Sequence, residues 1–491
     1  MTERLKREPG WVVALALTAV LVAVSGRYGY HRDELYFVEA GQHLALGYPD
    51  QGLLTPLVAA AMEALASDSL TALRVPSALA VGAIVGLSAL LARELGGGRR
   101  AELIAALCTA TGVLFLQAGH TLSTTTFDLL VWTALSWVCV RAVRTGDDRL
   151  WLVGGAVLGL GLLNKPLPAF LAAGLLAGVA IAGPRRLLSN RWVWAGAAVA
   201  VAAWLPWLVW QTGHGWPQLE VSASIAEGGS ASSQPRWALL PFQMLLVGPL
   251  LAPVWIAGLL RLFRDPTLRP YRFLAWAWVA LAVLFTVTGG KPYYLGGLLP
   301  LFIGTGAVSA ERWLERGRSK ARRLVLVAGV GASGVVCGAI GLPLLATDHL
   351  GPVVAANPDA GETVGWPAFA RSVAEVRDGL PGGQSAVILT ANYGQAGAID
   401  RYGPALGLPE AYSGHNGYGG WEQPAGARGP VILVGFGDRE YREERFLDCT
   451  RMGRIDTEPA VDNDEDGTPL WGCAAPREPW RELWPRLRRL G

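Results

Sequence analysis

Eleven apolar runs, near residues 11–27, 76–93, 102–118, 126–143, 150–163, 167–183, 193–210, 238–260, 273–288, 293–310 and 324–346, constrain this chain more than any other feature. Each approaches the roughly 20 residues a helix needs to cross a bilayer. A helix satisfies its own backbone where water is absent, so the expected fold class is an α-helical polytopic membrane protein with about 11 transmembrane helices. Composition agrees: 52% of the residues are hydrophobic, 16% are charged, and the mean hydropathy is +0.32. The run at 150–163 is short and ends at Asn164, Lys165 and Pro166, which leaves open whether the fifth and sixth helices fully span. Arg4, Lys6 and Arg7 precede the first run like the basic start of a signal peptide. Further apolar segments follow at once, so the run reads as a retained span.

Basic residues orient the bundle. The loops at 1–10, 93–100, 141–149, 184–192, 261–272 and 311–323 hold 22 Lys and Arg, against six (Arg27, Arg32, Arg74, Lys165, Arg236 and Lys291) in the opposite set. The first set is therefore expected in the cytoplasm, with an odd number of spans placing the C-terminus outside. The implied location is a bacterial-type inner membrane, multi-pass. The outer loop at 28–75 carries two amphipathic stretches, Tyr36 to Leu46 and Leu53 to Leu65, too short to span and suited to the interface. No basic, aromatic-interleaved patch points to nucleic acid.

The pattern changes near residue 348, dividing the chain into a membrane region, 1–347, and a soluble outer region, 348–491. Helical periodicity at Phe369 to Leu380 and Gln395 to Tyr402 alternates with strand-like runs at Ser385 to Thr390 and Pro430 to Phe436, which predicts a small α/β domain. Asp462, Asn463, Asp464, Glu465, Asp466 and Gly467 hint at a calcium loop. The twelfth position from Asp462 is Cys473, however, where an EF-hand needs glutamate, so a solvated turn is favoured. Cys108, Cys139 and Cys337 lie in apolar runs as packing residues, whereas Cys449 and Cys473 fall in the outer region and are disulfide candidates.

The outer rim gathers the chemistry. His31, Arg32, Asp33 and Glu34 follow the first span, and adjacent carboxylates at a membrane surface are costly unless paired or used. The plain alternative is an acidic helix start, which the helix dipole favours. Asp128, Lys165 and Lys291 stand where the other outer loops meet the bilayer, and each alone reads equally as a snorkelling or capping residue. Together they put a carboxylate base and cations on one face, a surface suited to an anionic lipid carrier.

The segments Gly29-Tyr30-His31-Arg32-Asp33-Glu34-Leu35-Tyr36, Gly47-Tyr48-Pro49-Asp50-Gln51, Thr126-Phe127-Asp128, Leu162-Leu163-Asn164-Lys165 and Gly290-Lys291-Pro292-Tyr293-Tyr294 resemble glycosyltransferase family 39 of the GT-C superfamily. That family contains protein O-mannosyltransferases and bacterial aminoarabinose transferases. The resemblance implies an inverting, polyprenyl-phosphate-sugar dependent glycosyltransferase acting on an extracytoplasmic acceptor, whether lipid, cell-envelope glycan or protein. It assigns Asp33, Glu34 and Asp128 to catalysis, and Arg32, Lys165, Lys291, Tyr293 and Tyr294 to the donor phosphate. A divalent metal, Mg or Mn, stays open. His31 and the aromatic, glycine-rich loop with His415, Asn416, Tyr418 and Trp421 are acceptor-binding candidates, and Asn392 to Gln395 after a strand would line the same face. The alternatives are a transporter or flippase of a lipid-linked sugar, or a scaffold whose outer region binds wall polymer. Neither the sugar nor the oligomeric state is legible.

Overall fold

A computed structural model describes residues 8–230, 232–316, 319–425, 429–457, 461 and 463–491. The basic residues Arg4, Lys6, Arg7 and Arg318, and Asp462 of the calcium-like stretch, lie outside the described residues. Among the described residues six helices are long and apolar enough to cross a bilayer: Leu70–Glu94, Thr124–Thr145, Arg191–Gly213, Pro266–Thr288, Pro292–Glu315 and Lys320–Gly341. Shorter apolar helices occupy Pro9–Val24, Leu150–Leu162 and Leu167–Ala182. The last two flank the Asn164-Lys165-Pro166 turn and are the pair whose spanning the sequence left open.

Two of the apolar runs form bent helix pairs. The run at 102–118 becomes Arg99–Ala110 and Val113–His120, bent by 63°, and the run at 238–260 becomes Arg236–Val247 and Ala252–Arg264, bent by 115°. The second break has a clear cause: Gly248 takes φ +97°, and Pro249 after it brings no N–H to a continuing helix. Among the described residues the six long helices, the two bent pairs and the shorter helices Pro9–Val24, Leu150–Leu162 and Leu167–Ala182 together coincide with the eleven apolar runs.

Hydrophobicity alone gives little drive for helices to associate within lipid, so close packing of small residues matters. A Cβ on Gly258 would collide with the Phe302 carbonyl, and one on Gly306 with that of Val254, so Ala252–Arg264 and Leu299–Glu315 meet backbone to backbone. Gly155 and Gly196 make the same approach between Leu150–Leu162 and Arg191–Gly213. The basic loops converge at one end of the bundle, where Arg141 and Arg144 pair with Glu94, Arg93 with Glu102, and Arg261 and Arg312 with Asp265.

At the other end, the first outer loop folds into helices Arg32–Gln42 and Leu54–Leu65. A turn at Gly47 to Gly52 ties them down: the Tyr48 hydroxyl donates to the Ala40 carbonyl at 2.9 Å, and Gln211 Nε2 to the Tyr48 carbonyl at 3.0 Å. Above them lies the sheet formed by β1 (Val387–Thr390), β2 (Ala411–Ser413), β3 (Val431–Val434), β5 (Thr450–Arg454) and β6 (Pro469–Cys473), in the order β2-β1-β3-β6-β5. Its β1 pairs in parallel with β2 and β3, while β6 runs antiparallel to β3 and β5. Short strands β4 (Phe446–Leu447) and β7 (Ala475–Pro476) pair separately. A disulfide joins Cys449 and Cys473.

The sheet is covered on both faces. Leu389, Val431 and Leu433 pack on Trp480, Leu483 and Trp484 of the Trp480–Leu487 helix. On the other face Ile388, Ile432 and Val434 join Trp366, Phe369 and Ile399 in a core that continues into Tyr30, Leu35, Tyr36 and Phe37 of the first outer loop. The sheet region and the outer loop thus bury one common apolar surface, which holds the Arg32–Gln42 helix against the Tyr393–Tyr402 helix.

Candidate functional site at the outer rim

His31 caps the Arg32–Gln42 helix: its Nδ1 accepts from the Asp33 amide at 3.1 Å, and its own amide donates to Glu34 Oε2 at 2.8 Å. That capping box turns two adjacent carboxylates in different directions. Glu34 points inward and is fully buried. It accepts from Arg74 Nε at 2.8 Å and Nη2 at 2.7 Å, and from the Leu122 amide at 2.8 Å. Arg74 in turn donates to the carbonyls of Ser25 and Gly29, each at 2.7 Å. The acceptor sites of Glu34, grouped with Asp33 and Asp128 in the sequence, are filled, and it ties the outer loop to two span ends.

Asp33 turns toward a cavity of about 180 Å³. His31, Gln117, Thr121, Ser232 and Asp359 supply polar wall, and Leu114, Ala118, Leu342 and Pro343 supply apolar wall. Its side chain has one hydrogen bond among the described residues, from the Tyr393 hydroxyl at 2.8 Å. Burial pushes its carboxyl upward. His31, Arg32, the Tyr393 hydroxyl and Lys291 more than offset that, and it titrates below the usual aspartate range. At neutral pH it is a carboxylate open to a cavity, the state a proton acceptor needs.

The expected cations divide. Lys291 Nζ donates to Ser230 and Ser232 Oγ, both at 2.7 Å, and stands 5.9 Å from the Tyr293 ring. Lys165 Nζ lies 6.0 Å from the Tyr293 ring and 5.6 Å from that of Tyr294. The two lysines and two tyrosines therefore form one cationic, aromatic wall, and Tyr293 also lines the cavity. Asp128 is buried beside Lys165, and its Oδ1 has no hydrogen-bond partner among the described residues. Arg32 lies 3.3 Å from Asp464 and 3.6 Å from Glu362, paired with acids of the C-terminal region.

The acceptor-binding candidates of the loop from His415 to Trp421 make contacts within the protein. The His415 ring stacks on Tyr393 at 4.7 Å, Asn416 Nδ2 donates to Asp50 at 3.2 Å, Tyr418 donates to Asp400 at 2.8 Å, and Trp421 stacks on His43 at 4.7 Å. These side chains fill the seam between the sheet region and the outer-loop helices. Burial, then the charges of Arg489 and Arg32, pulls His415 down to about 3, so it is neutral there. His31 alone of the acceptor candidates lines the cavity.

Sequence reasoning missed Arg74, Ser230, Ser232 and Asp359 as site residues, and it placed Tyr393 on this face, within Asn392 to Gln395, without its partner. Arg74 carried a usable signal, a lone arginine entering an apolar run, whereas Tyr393 lies 360 positions from its partner. Among the described residues no three His, Cys, Asp or Glu side chains group as metal ligands, and Asp33 and Asp128 both stand beside cations.

Comparison with known proteins agrees with this geometry. Residues 50–210 match the sequence model of the family described as dolichyl-phosphate-mannose-protein mannosyltransferase. The chain is 29% identical over 350 residues to undecaprenyl phosphate-α-4-amino-4-deoxy-L-arabinose arabinosyl transferase 1 of Pseudomonas fluorescens strain Pf0-1, covering 64% of this chain and 60% of that protein. It is 30% identical over 302 residues to the transferase of the same name from strain ATCC BAA-477 / NRRL B-23932 / Pf-5, covering 57% and 52%. The matched length is thus about half to three-fifths of these relatives. In fold, the chain superposes on ArnT from Cupriavidus metallidurans bound to undecaprenyl phosphate with a TM-score of 0.62, at 16% identity, over 94% of this chain and 98% of that one. The chain is a multi-pass membrane protein that shares its fold with ArnT from Cupriavidus metallidurans and is similar in sequence to the two arabinosyl transferases.

Proposed function

We propose that the chain is an integral membrane glycosyltransferase that moves a sugar from a polyprenyl-phosphate donor to an acceptor hydroxyl outside the membrane, with inversion. The observation that carries this reading is one cavity lined by the Asp33 carboxylate and by Tyr293 and Ser232, which border the Lys291 ammonium. The names of the two relatives, both undecaprenyl phosphate arabinosyl transferases, support the donor class. The 22-to-six asymmetry of basic residues supports an N-terminus in the cytoplasm and a C-terminal region outside.

In this reading Asp33 accepts the acceptor hydroxyl proton as that oxygen bonds to the anomeric carbon. The bond from that carbon to the phosphate oxygen breaks on the opposite face, and polyprenyl phosphate departs. Lys291 and Lys165 meet the charge that develops on the phosphate, and the two serines now on Lys291 give way to it. A phosphate leaves without a general acid, so one carboxylate is enough. Asp128 acts on Lys165, fixing its ammonium between the tyrosines.

Asp33→Asn keeps the shape and removes the base. Transfer from undecaprenyl-phosphate-linked sugars should fall by roughly 10²–10⁴-fold in reconstituted vesicles, with melting unchanged. Full activity of Asp33→Asn would refute the assignment. Lys291→Ala should act differently, raising the donor KM and weakening retention of co-purified polyprenyl phosphate, which mass spectrometry reads directly.

A further inference from the structure

Tyr393 opens the helix Tyr393–Tyr402, which belongs to the sheet region and not to the bundle. That helix has its own capping box: Asn392 accepts from the Gln395 amide at 2.9 Å while Gln395 Oε1 accepts from the Asn392 amide at 3.3 Å. Both side chains are also anchored on the buried Glu465, Asn392 Nδ2 at 3.1 Å and Gln395 Nε2 at 2.6 Å. The Tyr393 ring is packed against Tyr36 at 4.6 Å and His415 at 4.7 Å, with the Arg32 guanidinium 5.7 Å from its centroid. A phenol held this tightly has one orientation, and its hydroxyl lies on Asp33 Oδ1.

We infer that Tyr393 is a positioning residue for transfer: the soluble C-terminal region reaches into the membrane-rim site and fixes the rotamer and charge of Asp33, so that the site is complete only when that region is docked. This inference rests on the reading of Asp33 as the base. A hydrogen bond from a neutral phenol to one carboxylate oxygen occupies Oδ1 and leaves Oδ2 for the acceptor proton. It also stabilises the ionised form over the protonated one. The other groups facing Asp33 are His31 and Arg32 on its own segment, Lys291 before the tenth apolar run, Asp50 in the outer-loop turn, Tyr293, and His415 from the sheet region. None of these makes a hydrogen bond to the carboxylate among the described residues, so the contact from Tyr393 is not duplicated.

The test is Tyr393→Phe, which keeps the aromatic packing, compared with Tyr36→Phe. The latter removes a hydroxyl from the same stack, but one that donates to Asp50. Expected for Tyr393→Phe are a fall in kcat of about 10-fold or more, donor KM within about twofold of wild type, and an acid limb of the pH–rate profile moved upward by about 0.5–1 pH unit. Tyr36→Phe should leave the acid limb in place. Rates are read as undecaprenyl phosphate released, with undecaprenyl-phosphate 4-amino-4-deoxy-L-arabinose and related lipid-linked sugars as donors. An infrared titration needs no donor: the protonated-carboxyl band missing in Asp33→Asn should rise at higher pH in Tyr393→Phe than in wild type. An unchanged acid limb and an unchanged carboxyl titration in Tyr393→Phe would overturn the inference, as would identical shifts in both phenylalanine variants. Undiminished transfer by Asp33→Asn would instead overturn the reading beneath it, so the two failures are told apart.

Discussion

Asp33 and Glu34 are neighbours with separate tasks, and the division follows from partners that sequence proximity hides. Their acidity and rim position were legible in the sequence. Glu34's partner is not, because Arg74 lies 40 residues away and only the docked span end brings it in. Both members of that pair are fully buried, so removing one charge leaves the other uncompensated. Glu34→Gln is therefore expected to cost about 3–5 kcal/mol of stability, read as a lower melting temperature in detergent, whereas Asp33→Asn melts like wild type. Asp400 gives a pH test. Burial raises its carboxyl to about 7, with Glu39 and Glu410 adding to the shift against hydrogen bonds from the Ala411 amide and the Tyr418 hydroxyl. The folded state thus holds this proton more tightly than the unfolded chain does. Its stabilisation is complete below the ordinary aspartate value and is lost as pH rises through about 4 to 7. Asp400→Asn keeps an oxygen for the Ala411 amide and lets its Nδ2 donate to the Tyr418 hydroxyl oxygen where the carboxylate accepted from it, without the charge, and should gain roughly 1–3 kcal/mol at pH 8 while flattening the melting profile over that window.

At the level of elements, hydropathy found the helices and turn chemistry decided where they break. Gly248 and Pro249 sat in plain view inside the run at 238–260, yet a 19-residue average smooths over them, and the 115° bend appears only when the backbone is built. The two outer-loop helices were legible because their amphipathic spacing is helical and their length forbids spanning. Strands β2, β5 and β6 were not: β2 is three residues long, and β5 alternates Arg, Gly and Met with little apolar signal. The glycine contacts carry the sharpest prediction at this scale. Gly258→Leu places a side chain into the Phe302 carbonyl, so the Ala252–Arg264 helix must shift off Leu299–Glu315. The expected loss is about 1–3 kcal/mol or more, seen as aggregation or early melting, while Leu at the uncrowded Gly329 leaves melting unchanged.

The whole molecule is organised by a docking that neither half's sequence announces. Composition separated a membrane region from an α/β region near residue 348, but composition has no term for contact between them. The structure shows one continuous apolar core across that boundary, with the Gly29 amide donating to the Thr363 carbonyl at 2.8 Å and Arg32 paired with Glu362 and Asp464. One close approach is helix on helix: a Cβ on Gly397 would lie 2.9 Å from Leu35 Cβ and 3.2 Å from its carbonyl carbon. Substitution there is a wedge of adjustable size between the sheet region and the helix that carries Asp33. Gly397→Ala should lift the Tyr393–Tyr402 helix by a few tenths of an ångström and Gly397→Leu by more, weakening the Tyr393 contact in proportion. Because roughly 1 Å of misplacement in a reacting constellation can cost about 10²-fold, transfer should decline in steps from glycine to alanine to leucine. Melting of the bundle should change little, since its own helix crossings are untouched. Protease sensitivity of the connector at 342–365 should rise in the same order, and an activity that stayed level while the connector opened would show that docking serves stability alone.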